Sequence, residues 1–279
     1  MLTSLQNPLV KQIRRLHRAK GRREAGQFLL EGTHLLQEAC AVGQPLDVVC
    51  CTEGWCDREP ELWGRLGAIA ARLELVSPEV LAAMATTVTP DGVIALAPRD
   101  PVRFGLGDAE TDPGEPGALE PFRVGLLLET VQDPGNLGTI IRAAAATGVD
   151  RLWVSADSVD LDQPKVLRAT AGQWFRVPCG VCGDSLALVR QAKAAGVTVL
   201  ATTSLEVAGA MSYWEADLRG PVLLLLGNEG AGLSPALMAA ADGRVSIPLA
   251  PGVESLNVAI AAALLLYEGV RQRQTTQSD

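Results

Sequence analysis

The chain has 279 residues, 48% of them hydrophobic and 20% charged, with a formal net charge of −8. That composition predicts a soluble globular protein able to bury a substantial core, long enough for two domains of ordinary size. Its longest apolar runs, VLLLL at 222–226 and VAIAAALLL at 258–266, fall far short of the roughly 20 residues of a membrane helix, so no membrane partner is expected.

In chain order, the first 24 residues carry Lys11, Arg14, Arg15, Arg18, Lys20, Arg22 and Arg23 against one acid, Glu24. This basic stretch has no apolar core region and no small-residue cleavage site, so it reads as no secretory signal, and a cytoplasmic location is expected. A basic arm on an acidic body fits either a polyanion-binding surface or a solvated helix face. A helix from Asn7, an apolar segment over 27–43, a strand over 46–52, a helix over 60–73 and a mixed stretch to residue 97 make a small α/β unit, residues 1–97. Cys50, Cys51 and Cys56, and the Cys179–Cys182 pair, lack the nearby histidines or second pair that a four-ligand site needs. They read as core thiols, and no metal is expected. Residues 98–121, rich in Pro, Gly and acids, read as a flexible linker.

From 122 to 274 the pattern alternates, followed by a short tail at 275–279. Strands are predicted at 123–129, 151–155, 174–178, 197–202, 221–227 and 243–249, with helices at 137–147, 164–171, 184–195, 234–241 and 255–271. Near-continuous apolar strands separated by helices predict a parallel sheet covered on both faces, with ligands at the carboxyl ends of its strands.

Three loops there carry polar residues. In TVQDPGNLGTIIRAAAATGVD, Pro134 and Gly135 are read as the turn, Asn136 as the N-cap and Gly148 as the helix stop. Arg142 lies six residues beyond Asn136, about 120° from alignment if both are helical. In LLLLGNEGAGLS the glycines run G-x-x-G-x-G, which fits neither the dinucleotide fingerprint nor the phosphate-binding P-loop. Its carboxylate, Glu229, suits a positive centre or the orientation of an Arg. In SIPLAPGVESLNVAIAAALLLYE, Ser255 and Asn257 are both capping residues before an apolar helix, one more than a cap requires.

As an ordered triple, these segments resemble the motifs of the SpoU (TrmH) family of SPOUT-class RNA methyltransferases. Upstream, SLQNPLVKQIRRLHRAKGRREAGQFLLEG and TVTPDGVIAL resemble the family's N-terminal RNA-binding domain, which is similar to a ribosomal-protein fold. The resemblance implies methyl transfer from S-adenosyl-L-methionine to the 2′-hydroxyl of a ribose in ribosomal or transfer RNA, with the N-terminal domain favouring ribosomal RNA. It also implies an α/β fold whose parallel-sheet catalytic domain, 122–274, ends in a deep trefoil knot, and a homodimer whose interface frames the site.

Carried over residue by residue, the family's catalytic positions fall on Asn136, Arg142, Glu229, Ser255 and Asn257. Its cofactor positions fall on Gly227, Ile247 and Leu256, with Thr202 as a further suggestion from an adjacent strand. A guanidinium, with a pKa above about 12, is a poor base at neutral pH. Arg142 is therefore expected to clamp a phosphate or to stabilise the developing alkoxide. Only 4% of the residues are aromatic, which favours RNA binding through phosphates over a stacking platform. The expected RNA-binding residues are Arg14, Arg15, Arg18, Lys20, Arg22 and Arg23, with Arg168 nearer the site. The rival reading is a non-catalytic RNA-binding or ribosome-assembly protein on the same fold; a nicotinamide-dependent oxidoreductase is disfavoured by the glycine spacing.

Overall fold

The computed structural model describes residues 1–99, 119–204 and 207–276. Most of the expected linker, 98–121, and the end of the expected tail, from 277, lie outside the described residues. The chain divides into two compact units, Met1–Asp100 with Asp160–Phe175, and Pro101–Val159 with Arg176–Asp279.

In the first unit α1 (Pro8–Arg15) and α2 (Ala19–Ala25) precede β1 (Gln27–Glu31), α3 (Thr33–Ala41) and β2 (Val48–Cys51). Then come α4 (Glu53–Arg58), α5 (Pro60–Ile69), β3 (Leu73–Leu75), α6 (Pro78–Met84) and β4 (Val93–Pro98). The four strands lie in the order β1-β4-β2-β3, with β4 antiparallel to both neighbours and β2 parallel to β3. Leu9, Val10, Ile13 and Leu16 of the basic arm have their apolar side buried against Leu29, Val80, Met84 and Ile94. Burying each such side chain contributes about 1.5–3 kcal/mol, so the arm's amphipathic pattern fixes which face its arginines present.

The second unit begins with β5 (Val124–Leu128), α7 (Pro134–Thr147) and β6 (Arg151–Ser155). After β6 the chain leaves for the first unit, where α8 (Pro164–Ala169) and a 3-10 turn at Gln173–Phe175 pack, before returning as β7 (Cys179–Cys182). It continues through α9 (Ser185–Ala194), β8 (Thr198–Thr202), β9 (Ala210–Ser212), β10 (Val222–Leu226), α10 (Pro235–Ala240), β11 (Gly243–Ser246) and α11 (Val258–Thr276). The seven strands run β7-β6-β5-β10-β8-β11-β9, every pairing parallel, as the apolar runs predict. Leu127, Leu223 and Leu225 face a core with Leu188 and Val189 of α9 and Leu237 of α10. The alternate residues Leu126, Leu128, Leu224 and Leu226 are equally buried, so the sheet is covered on both faces.

Two expectations are corrected. The strand predicted at 174–178 is instead the 3-10 turn followed by β7: the Trp174 ring lies 5.1 Å from Phe28 and its Nε1 donates to Leu161 O at 3.1 Å. Residues 160–175, expected in the second domain, belong to the first unit, where Arg22 Nε donates to Asp162 at 2.9 Å and Arg22 Nη2 to Asp160 at 2.8 Å. Cys179 is a core thiol on β7, and burial pushes it up to about 12. No helix among the described residues is long and apolar enough to cross a membrane.

Candidate functional site

The carboxyl ends of β5, β10, β8 and β11, adjacent in the sheet, carry the loops that the sequence singles out. The helix after β5 starts earlier than expected. Asp133 caps α7, its Oδ1 accepting the Asn136 N–H at 2.9 Å, and Pro134 fills the first turn, where no N–H is required. Gly148, at φ 70°, stops the helix in the left-handed region, as expected.

Asn136 is therefore not the cap but a first-turn residue with a free side chain. Its Nδ2 donates to Glu229 Oε1 at 2.7 Å, and its Oδ1 accepts from Asn257 Nδ2 at 2.8 Å. Asn257 is the residue that caps α11, its Oδ1 accepting from the Ala259 and Ile260 N–H groups at 2.9 and 3.4 Å. The direction of this chain is over-determined. A carboxylate only accepts and backbone N–H groups only donate, so both amides are forced into one orientation from opposite ends. Among the described residues, the side-chain partner of Glu229 is Asn136.

Arg142 is exposed and makes no hydrogen bond or ion pair with any described residue. Being on the same helix as Asn136, it projects about 120° away from it. Ser255 is exposed on the loop before α11. Of the five catalytic positions expected from the sequence, three are brought into one hydrogen-bonded chain.

Gly227, Thr202 and Ile247 sit at the ends of β10, β8 and β11, with Leu256 just ahead of α11. A Cβ at Gly227 would lie 2.1 Å from the Gly232 carbonyl carbon, so only glycine lets the loop 227–233 fold back on its own backbone. Asn228 N–H donates to Gly232 O at 3.0 Å and Gly232 N–H donates to Asn228 O at 2.9 Å, closing that fold. At the end of β11, next to Ile247 in sequence, Ser246 Oγ is buried with no hydrogen-bond partner among the described residues. A glycine loop closed on its own backbone, with Glu229 and no Lys or Arg in it, fits a backbone-held group bearing a positive centre better than a polyphosphate.

Several residues of this site had no marker in the sequence. Thr130, Ser155, Asp157 and Asn228 lace the loops after β5, β6 and β10 together. Hydroxyl donation by Ser155 and Thr130 holds the Asp157 carboxyl below the usual carboxylate range.

The basic arm keeps Arg14, Arg15, Arg18, Lys20 and Arg23 exposed, with Arg15 and Lys20 beside Glu24 at 3.2 and 3.7 Å. Arg22 departs from the expectation: it is 2% exposed and ion-paired to Asp160 and Asp162, so it is structural rather than an RNA contact. Arg168 is likewise engaged within the first unit, donating to Glu31 Oε2 at 2.9 Å and to Thr86 Oγ1.

A parallel α/β sheet with its polar side chains on carboxyl-end loops defines a ligand-binding domain of the open-sheet class. Comparison with known proteins resolves the class further. Residues 123–267 match the model of the SpoU rRNA Methylase family, and residues 7–95 match the MRM3-like substrate binding domain. An uncharacterized tRNA/rRNA methyltransferase of Synechocystis is 45% identical over 98% of this chain and 94% of its own. The Bacillus subtilis 23S rRNA (guanosine(2553)-2′-O)-methyltransferase RlmP is 32% identical over 95% and 97%. The crystal structure of an AdoMet-bound rRNA methyltransferase from Sinorhizobium meliloti superposes with a TM-score of 0.80 at 32% identity, covering 97% of both chains. The chain belongs to the SpoU rRNA methylase family.

Proposed function

We propose that this protein transfers the methyl group of S-adenosyl-L-methionine to the 2′-hydroxyl of a ribose in RNA, with ribosomal RNA as the substrate class. The observation that carries this reading is the Glu229–Asn136–Asn257 chain of hydrogen bonds at the carboxyl ends of a SpoU-family sheet. When bound, the cofactor supplies an electrophilic methyl group on a sulfonium. Gly227, Thr202, Ile247 and Leu256 would hold it largely through backbone, and Ser246 Oγ offers a buried polar partner there.

Transfer to a hydroxyl is an in-line displacement, so the protein's task is alignment and activation of a weak nucleophile. Asn136, with both amide groups committed, presents a fixed face rather than a rotating one. Arg142 is exposed with no hydrogen bond or ion pair among the described residues, and its guanidinium is a donor only, which suits the substrate phosphate or the developing alkoxide better than proton abstraction. Ser255, exposed beside Asn257, is assigned to the same substrate-facing loop.

Residues 7–95 are assigned to RNA binding, with Arg14, Arg15, Arg18, Lys20 and Arg23 contacting phosphates. The 2′-hydroxyl separates RNA from DNA at the chemical step itself. The trefoil knot is assigned to the C-terminal half of the second unit, a reading supported by the position of β10 between β5 and β8 in sheet order. A homodimer is supported by Ile260, Leu264 and Tyr267, at i, i+4 and i+7 on α11 and 50%, 37% and 55% exposed, an apolar stripe left uncovered by the described residues.

Mapping ribose methylation across total RNA, with and without the gene, tests the reading. One unmethylated ribosomal nucleotide is expected in the deletion strain, restored by the wild-type chain and not by Glu229→Ala. An unchanged map, together with no transfer of labelled methyl to any cellular RNA, would favour a non-catalytic RNA-binding protein.

A further inference from the structure

Thr130, directly after Glu129 at the end of β5, has φ 56°. It is β-branched, the kind of side chain that tolerates the left-handed region least. All of its polar groups are held. Its N–H donates to Ser155 Oγ at 2.8 Å, its Oγ1 donates to Asp157 Oδ2 at 2.7 Å, and its carbonyl accepts from Asn228 Nδ2 at 2.9 Å. These partners come from the ends of β6 and β10, the two strands flanking β5.

From Thr130 the contacts run in two directions. Asn228 Oδ1 accepts from the Gly230 and Ala231 N–H groups at 2.9 and 3.0 Å, so its side chain spans Glu229 from both sides. Along the chain, Val131 N–H donates to Ser158 Oγ at 3.1 Å and Gln132 Nε2 to Asp157 O at 2.8 Å. The next residue is Asp133, whose cap starts the helix of Asn136. Glycine would reach the same φ without strain. What threonine adds is the hydroxyl that ties the turn to Asp157.

We infer that Thr130 is a positioning residue for methyl transfer: clamped by Ser155, Asp157 and Asn228, it sets the separation of the loops that carry Asn136 and Glu229 without touching substrate. The inference rests on the roles proposed above for those two residues. A misplacement of about 1 Å costs on the order of a hundredfold in a reaction driven by alignment, so small loop shifts are sufficient.

The test compares Thr130→Val, which keeps size and branching but removes the hydroxyl, with Thr130→Ser, which keeps it. Full-length enzymes are assayed on ribosomal RNA from a strain lacking the gene, and S-adenosylhomocysteine binding is measured by calorimetry. Thr130→Val is expected to lower kcat by about tenfold or more with the S-adenosylhomocysteine Kd within about twofold, while Thr130→Ser keeps most of kcat. Wild-type kcat in Thr130→Val, equal losses in both variants, or a kcat loss matched by lost affinity would overturn it. If Thr130→Val does not fold, Asp157→Ala at an exposed position removes the same tie and must give the same split. Glu229→Ala separates the two levels. If it is inactive while Thr130→Val is normal, only the positioning role fails; if it is fully active, the site reading fails and the inference with it.

Discussion

Replacing Asn257 by Asp changes one atom of a residue that caps a helix with its oxygen and holds Asn136 with its nitrogen. The capping oxygen accepts from Ala259 and Ile260, and Asp supplies that oxygen equally well. Adding a carboxylate at the start of α11 contributes a further ~0.3–1 kcal/mol through the helix dipole. The Nδ2 that donates to Asn136 Oδ1 at 2.8 Å, however, becomes an acceptor facing an acceptor. Asn136 cannot flip to meet it, because its own Nδ2 is committed to Glu229 at 2.7 Å. The lost bond and the added repulsion together come to about 2 kcal/mol, or roughly thirtyfold in rate at 1.36 kcal/mol per decade.

Asn257→Ala separates the same terms differently. It loses the cap, about 1 kcal/mol, which lowers Tm by about 2–4 °C in a unit of this size. It also loses the donor but places no repulsive oxygen against Asn136, so a rate loss of about fivefold is expected. Stability should then rank wild type first, Asp second and Ala lowest, because the loss at Asn136 outweighs the dipole gain of the Asp variant while the Ala variant loses both cap and donor, whereas rate ranks wild type first, Ala second and Asp last. Calorimetric unfolding and single-turnover methyl transfer measure the two orders. Should the Asp variant be the less stable of the two, or transfer faster than the Ala variant, the two-role assignment of Asn257 is wrong.

The basic arm gives a paired test: Arg22→Ala strands the buried Asp162 and should cost about 3 kcal/mol in urea unfolding, the low end of the range because Arg99 stays beside that carboxylate. Arg23→Ala, at an exposed position, should leave stability unchanged within about 0.5 kcal/mol and weaken RNA binding with a shallower salt dependence. Burial raises the Glu31 carboxyl, but hydrogen bonds from Thr86 and Thr87 and the Arg168 charge outweigh it and hold the group below 4.5. A depressed folded value means its stabilisation is present above 4.5 and is lost as pH falls through the folded value, so Glu31→Gln should flatten the acid limb of the unfolding curve there. An acid limb unchanged in Glu31→Gln would remove Glu31 from the cause of acid instability. For the exposed stripe on α11, Ile260→Asp should convert a dimer to a monomer in light scattering at micromolar concentration; a wild-type monomer would already contradict the homodimer.

How much of this was legible depends on the range of the interaction. The runs VGLLL and VLLLL could only be buried on both faces, so the parallel sheet and the loops that bear the site followed from periodicity. The excursion of residues 160–175 did not, because its anchors are partners far apart in sequence: Arg22 with Asp160 and Asp162, and Glu31 with Arg168. The same tertiary contacts override the strand propensity of Trp174 and Phe175. Thr130 carries no signal either, since its left-handed turn is one that sequence normally marks with Gly.

The start of α7 is a different kind of miss, because the sequence held both answers. Asp133 and Asn136 are each good caps, three residues apart, and reading Pro134 as part of a turn selects the second. Reading it as a first-turn residue selects the first, which the structure adopts. That shift of three residues changes the chemistry. As a cap, Asn136 would have spent its oxygen on backbone N–H groups and had nothing to give Asn257. As a first-turn residue it is gripped by Glu229 and Asn257 from opposite sides. It also places Asn136 and Arg142 on one continuous helix, where six residues of rotation keep them apart. Under the proposed function Asn136 is the immobilised member, and Arg142, exposed and unpartnered among the described residues, is the one assigned to the anionic part of the substrate.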